Sequence, residues 1–263
     1  MLILSVIQTD KWLLEHYEDP IKLCEMLEDY FEGSPAEEIY EHLMMHGMYR
    51  PDKNGNGTIA SLQKKEVWQT VAREIQLLKK LWDGPDIPVF IFPSDTGNQY
   101  LIRHFNGKSG LAFDNKLFLF LSPENHDREI IALLTHEYNH VCRMEKYKKE
   151  ESDYTFLDSI ILEGMAENAV AKRCGKELLA EWTAYYTDQE LENMWKTYGT
   201  RSKKVRINTS KHQKLLYGLR SYPKMLGYCL GYYLVKEYVN NHNLSTRELL
   251  PVPSVQFSSG LQG

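Results

Sequence analysis

Two histidines separated by three residues, with a glutamate directly after the first, form the pattern in this chain best suited to chemistry. They are His136, Glu137 and His140, within the stretch IIALLTHEYNHVCR. On a helix, residues four apart lie on one face one turn apart, so both imidazoles can bind a single metal ion. Zinc suits such a pair, and Glu137 is then placed to take a proton from a zinc-activated water. The pattern predicts a zinc hydrolase site with Glu137 as general base.

A hydrolytic zinc site needs a third protein ligand and one open coordination position. The segment LEGMAEN offers Glu163 and Glu167, which are four apart on a predicted helix and have mostly apolar neighbours. We predict that Glu163 is the third metal ligand. Glu167 is predicted to accept an N–H from a ligand imidazole. The residues alone also allow the two acids to exchange these roles.

Peptide hydrolysis also needs a donor for the tetrahedral oxyanion besides the metal. Near the C-terminus, the stretch GYCLGYY places Tyr228 and Tyr232 four residues apart on one face of a predicted helix. Either tyrosine is a candidate oxyanion donor. The competing interpretation is that both are core aromatics whose hydroxyls are bound elsewhere.

The hydrophobic pattern predicts the elements that must position these residues. Residues 1–84 are predicted to be an N-terminal helical region. Residues 85–245 are predicted to form the catalytic region, and residues 246–263 an irregular tail. Within the catalytic region, four strands at about 88–121 are joined mainly by hairpin turns, so the sheet is expected to be largely antiparallel. Helices follow at about 126–147 (active helix), 156–174 (third ligand) and 223–240. The whole chain is expected to form one compact unit.

Composition restricts the classes of protein to which the chain can belong. It has 263 residues, of which 43% are hydrophobic and 25% charged, as in an ordinary globular protein. The net charge of −5 argues against a general nucleic-acid binder. The four cysteines form no CxxC pair, the apolar N-terminal run has no basic residues before it, and no stretch is long enough to span a membrane. We therefore expect a cytoplasmic protein without a membrane span.

Two weaker motifs need an interpretation. The run from Asp52 to Gln63 begins like a calcium-binding loop but ends in glutamine instead of a bidentate glutamate, so we interpret it as a polar turn. His42 and His46 repeat the four-residue spacing without the glutamate. We interpret that pair as surface or core residues of a helix.

The motif HEYNH followed by LEGMAE resembles the zincin superfamily, in its branch with a glutamate as third ligand. More narrowly, the chain resembles the bacterial YjaZ-like family of predicted zinc-dependent proteases. The segments that carry this likeness also include IQTDKW, EHLMMHGMY, LWDGPDIPVFIFP and PKMLGYCLGYYLVKEY. The resemblance implies a zincin-like α+β fold, mostly helical, with a small sheet packed on the HExxH helix. In related zincins the strand before the active helix aligns the substrate backbone, and the matching strand here is Lys116–Leu121.

Together the residues and the resemblance predict a zinc-dependent metallopeptidase that binds Zn²⁺ and acts on a peptide or protein substrate. Two alternatives remain open from the sequence. One is a zinc hydrolase of a non-peptide amide or ester. The other is a non-catalytic, zinc-stabilised binding or regulatory protein. The sequence does not define cleavage specificity or oligomeric state.

Overall fold

The structure is a computed structural model that describes residues 5–261, without the side chains at positions 151, 260 and 261. The first four residues, which belong to the apolar N-terminal run, lie outside the described part. The fold is mostly helical. Its α-helices are α1 (Thr9–His16), α2 (Pro20–Glu25), α3 (Ala36–Met45), α4 (Gly55–Lys64), α5 (Val67–Trp82), α6 (Gln99–Phe105), α7 (Asp127–Lys146), α8 (Phe156–Cys174), α9 (Asp188–Met194), α10 (Thr200–Ser202), α11 (Ser210–Tyr217), α12 (Leu226–His242) and α13 (Thr246–Leu249).

Three strands form one small sheet: β1 (Val89–Pro93), β2 (Ser109–Ala112) and β3 (Leu117–Leu121). Strand β3 lies in the middle, with β1 parallel on one side and β2 antiparallel on the other. The sheet is therefore mixed, and the prediction of a largely antiparallel sheet is wrong for the β1–β3 pair. The Asp114-Asn115 turn does join β2 and β3 as a hairpin.

One predicted strand is a helix. The segment QYLIRHF forms α6, although its aromatic and aliphatic residues favour a strand in isolation. The side chain of Asn98 accepts hydrogen bonds from the backbone N–H groups of Tyr100 and Leu101 and so caps the first turn. This helix replaces the hairpin expected between β1 and β2, so that β1 pairs with β3 instead.

Residue contacts divide the chain into two units, Met1–Val141 and Cys142–Gly263. In the first unit, all residues of β1 and β3 are buried. The rings of Phe90 and Phe118, which are opposite each other in the ladder, stack with centroids 4.8 Å apart.

The polar run from Asp52 is a short turn before α4, which begins at Gly55. The side chain of Asp52 accepts the backbone N–H of Asn54. The expected polar turn is thus shorter than predicted, and no calcium-type loop forms there.

In the second unit, α8 and α12 pack closely through glycines. A Cβ atom added to Gly231 would lie 1.8 Å from the backbone oxygen of Ile160, and one added to Gly164 would lie 2.1 Å from the backbone oxygen of Gly231. The helices therefore touch backbone to backbone. Helix α11 also packs against both of them.

The C-terminal segment has more structure than predicted. A capping box between Ser245 and Glu248 begins α13, and a 3₁₀-helix runs over Ser254–Leu261. The expectation of an irregular tail is thus wrong for the described residues, and positions 262 and 263 lie outside them. No helix within residues 5–261 is long and apolar enough to cross a membrane.

Candidate metal centre

Helix α7 carries both histidines of the HExxH pattern. The ring centroids of His136 and His140 lie 4.6 Å apart and the rings are nearly perpendicular, at 89°. His140 is buried and His136 is partly exposed. Two adjacent imidazoles on one helix face can direct a nitrogen each at a single cation, as their spacing predicts.

Glu163 of α8 completes a set of three possible ligands. One ligand atom from each of His136, His140 and Glu163 can be chosen so that all three lie within 4.8 Å of one another. No other group of three or more His, Cys, Asp or Glu side chains with this property occurs in the described part of the chain. Ligands on a tetrahedral zinc lie about 3.4 Å apart, so small side-chain rotations are enough to close the set. Two nitrogens and one carboxylate oxygen are also a donor set that catalytic zinc uses, so these residues fit the metal.

The first turn of α8, which precedes Glu163, is fixed by a buried acid. Asp158 and Thr155 form a reciprocal capping box, and Asp158 also accepts hydrogen bonds from Lys149 (2.6 Å) and Ser254 (2.8 Å). Burial raises the pKa of Asp158, but these hydrogen bonds outweigh it and hold the pKa below its ordinary value. The carboxylate therefore stays charged at neutral pH and anchors the helix that carries Glu163.

Glu137 lies against strand β2. A Cβ atom added to Gly110 would lie 2.3 Å from Cγ and 2.6 Å from Oε1 of Glu137, so only glycine leaves room for this carboxylate. Glu137 itself is 8% exposed. The next residue, Tyr138, donates its hydroxyl to the backbone oxygen of Pro85 at 2.7 Å and stacks on Trp82. These contacts fix the part of α7 that presents the proposed base.

The outer edge of β2 is open. The backbone N–H of Phe113 donates to the oxygen of Lys116, which sets the alternation of the antiparallel ladder. The N–H and C=O groups of Gly110 and Ala112 therefore point away from β3. Among residues 5–261, none forms a hydrogen bond with them. The expectation that Lys116–Leu121 aligns a substrate backbone is wrong, because both edges of that strand, β3, are already paired.

Glu167 is buried in the second unit. Its Oε2 accepts the backbone N–H of Ala180 at 3.4 Å. Burial raises the pKa of Tyr232, and the negative charge of Glu167 raises it further. The Tyr232 hydroxyl therefore keeps its proton at neutral pH and can donate it in a hydrogen bond. The role predicted for Glu167 towards a ligand imidazole stays a prediction.

Tyr228 and Tyr232 both pack against Trp182. The ring of Trp182 meets Tyr228 at 5.3 Å and Tyr232 at 6.4 Å, in edge-on geometry both times. The ring centroid of Tyr217 also lies 5.7 Å from that of Tyr228. Both tyrosines are half-buried, so they combine a packing surface with a polar tip. Their part in stabilising an oxyanion stays a prediction.

Two features of the site escaped the sequence analysis. One is Gly110, whose fit to Glu137 depends on strand pairing that the sequence does not specify. The other is Arg143, which is buried and donates to the backbone oxygens of Leu250 and Val252 and, at 3.2 Å, to Ser254 Oγ. Burial lowers the pKa of Arg143 to about 10. A signal for Arg143 existed in the sequence, because it directly follows Val141 and Cys142, and a charge that is buried with such residues needs partners.

Comparison with known proteins agrees with this geometry. A family model described as "Predicted Zn-dependent protease (DUF2268)" matches residues 67–259. "Uncharacterized protein YjaZ" of Bacillus subtilis (strain 168) is 38% identical over 265 residues, which cover 97% of this chain and 98% of that relative. No solved structure matches the chain significantly. The chain therefore belongs to the DUF2268 family of predicted Zn-dependent proteases.

Proposed function

We propose that this protein is a zinc-dependent peptidase in which His136, His140 and Glu163 bind the metal. The observation that carries the proposal is the set of three ligand atoms within 4.8 Å, two of them on the helix that also bears Glu137. Membership of the family of predicted zinc-dependent proteases agrees with it. Zinc, when bound, supplies a Lewis acid that polarises a carbonyl group and lowers the pKa of water.

Glu137 is the general base. Its carboxylate takes one proton from the attacking water and then delivers that proton to the nitrogen of the leaving amine, so it ends the reaction as it began. The close contact with Gly110 limits the positions that this carboxylate can adopt. A fixed carboxylate position favours this mechanism, since the same oxygen atoms of Glu137 take the proton from water and give it to the leaving amine.

The open edge of β2 supports a peptide as the substrate. An extended peptide can add to this edge through the N–H and C=O groups of Gly110, which lies beside Glu137, and of Ala112. A small amide or ester lacks the further peptide groups that would form hydrogen bonds with these N–H and C=O groups. This feature favours peptide hydrolysis over the hydrolysis of a non-peptide amide or ester.

Residues of the second unit supply the remaining roles in the proposal. Tyr232 or Tyr228 donates its hydroxyl to the oxygen that becomes negatively charged as water attacks. Glu167 orients a ligand imidazole by accepting its N–H at the carboxylate. The negative charge of Glu167 raises the pKa of Tyr232, which supports a protonated hydroxyl at this candidate donor.

Substitution of Glu137 by glutamine tests the proposal. Glu137→Gln keeps the size and removes the base, so zinc content by mass spectrometry should stay at about one per chain while cleavage of a quenched fluorescent peptide library falls by about 100-fold or more. His140→Ala, as a control, should lose the zinc itself. Hydrolysis by Glu137→Gln at the wild-type rate would contradict the mechanism.

Wild type, Glu137→Gln and His140→Ala also distinguish the two alternative functions, a non-peptide hydrolase and a non-catalytic zinc protein. A hydrolase of other substrates should cleave a panel of non-peptide amides and esters but not the peptides. A non-catalytic zinc protein should cleave neither panel. In that case Glu137→Gln should leave zinc content and thermal stability unchanged, whereas His140→Ala should lower both.

A further inference from the structure

A second histidine pair lies at the C-terminal end of α3 in the first unit, where His42 is in the last turn and His46 directly follows the helix. The ring centroids of His42 and His46 are 4.8 Å apart. This separation is close to the 4.6 Å between His136 and His140, which have the same four-residue spacing on their own helix. The two pairs therefore offer similar spacing between imidazoles to a metal ion, although only one lies next to a carboxylate ligand.

Both rings of this pair are available for binding. His46 is exposed and His42 is half-buried. Neither imidazole forms a hydrogen bond with any residue between 5 and 261. Other histidines differ in this respect, since Nε2 of His212 lies 3.0 Å from Ser159 Oγ and Nδ1 of His242 lies 2.8 Å from the backbone oxygen of Tyr238.

The backbone that carries the pair is held in place. The hydroxyl of Ser109, the first residue of β2, donates to the backbone oxygen of His46 at 2.7 Å. At the other end of the pair, the ring of Phe113 lies 6.0 Å from the ring of His42. Because strand and helix are held together here, binding of a cation does not need to order the backbone that carries the two rings.

One neighbouring charge opposes a cation at this place. Lys116 acts electrostatically on His42. Its ammonium group is held over the rings of Phe113 (4.1 Å) and Phe31 (4.6 Å), so it cannot move freely away from the pair or towards it. This repulsion lowers the affinity of the pair for a cation, and removing it should raise that affinity.

We propose that His42 and His46 form a second metal site, which binds a divalent late transition-metal ion with water in the remaining positions. Imidazole nitrogens suit Cu²⁺, Ni²⁺ and Zn²⁺, and Cu²⁺ binds such donors most tightly. No His, Cys, Asp or Glu among the described residues adds a third ligand to the pair. Binding is therefore weaker and more readily reversed than at the three-ligand centre. Metal binding by this pair does not depend on whether the protein cleaves peptides.

Titration of the zinc-loaded protein with Cu²⁺, followed by calorimetry, tests the second site. Wild type should bind one further equivalent. His46→Ala should weaken that binding by about 100-fold or more, because a chelating pair becomes a single imidazole. His42→Ala should do the same, and circular dichroism checks that each variant is folded. His104→Ala is the matched control, since His104 is also an exposed helix residue but has no second histidine four residues away.

Three results would overturn the proposal: no further equivalent in wild type, equal binding by wild type and His46→Ala, or equal weakening by His104→Ala. Lys116→Met gives an independent measurement, and it should tighten Cu²⁺ binding severalfold if the charge lies beside the bound ion. Repeating the titration on His140→Ala separates this site from the first centre. The equivalent assigned to His42 and His46 should persist there whether or not the protein cleaves peptides.

Discussion

Replacement of Gly110 by alanine should impair catalysis without removing the metal. The new Cβ atom would lie 2.3 Å from Cγ of Glu137, 2.5 Å from Cδ and 2.6 Å from Oε1. Carbon atoms in contact need about 3.5 Å, so the Glu137 side chain must move by about 1 Å. The cost to stability is small because the atoms that must move belong to a flexible side chain. A displacement of 1 Å in a proton-transferring group is expected to lower kcat by about 100-fold.

Three measurements on Gly110→Ala test this expectation together. Zinc content should equal that of wild type, since the three atoms nearest to the new methyl group all belong to Glu137 and not to a proposed ligand. The melting temperature should change little, and kcat on the best peptide from the library should fall. Gly97→Ala is the matched control, because its Cβ meets only Asp95 Oδ1 at 3.2 Å in an exposed turn. Full activity of Gly110→Ala would refute the claim that β2 positions the general base.

Two further predictions concern the buried charges that hold α7 and α8. Arg143→Met should lower the free energy of unfolding by about 2–3 kcal/mol, because it leaves backbone oxygens of the C-terminal segment without their donor. Urea denaturation measures this difference, with Arg143→Lys as the variant for comparison. Asp158 has a lowered pKa, so its stabilising effect is complete above the unfolded-state pKa of about 3.9 and is lost as the pH falls through the folded-state value. Asp158→Asn should therefore be less stable than wild type at pH 7, by about 1 kcal/mol, and the difference should shrink below pH 4. A difference that does not depend on pH would count against the ionised capping box.

Local signals were enough to predict the helices of the site. The helical period around His136 predicts a helix at about 126–147, and α7 runs over Asp127–Lys146. The apolar residues around Glu163 predict 156–174, which are the bounds of α8. Both patterns are local, because helix hydrogen bonds join residues four apart and the apolar face recurs within the same segment.

The sheet could not be predicted in the same way. The aromatic stretch after Asn98 has strand propensity, but a single side-chain cap converts it into α6. The parallel pairing of β1 with β3 depends on contacts between segments 28 positions apart, as between Val89 and Leu117. No local residue pattern specifies such a register. The open edge of β2 and its contact with Glu137 follow from this pairing, so neither could be predicted from the local sequence.

The guanidinium of Arg143 has a consequence for the order of events during synthesis. Its acceptors, Leu250, Val252 and Ser254, are translated more than a hundred residues after it, so the last turn of α7 lacks them in a nascent chain. The same late segment supplies the Ser254 hydroxyl to Asp158 at the start of α8. The two helices that carry the proposed ligands therefore reach their final anchoring only after residues 250–254 have been synthesised. The proposed metal site is accordingly anchored at both helices only once this late segment has folded onto them.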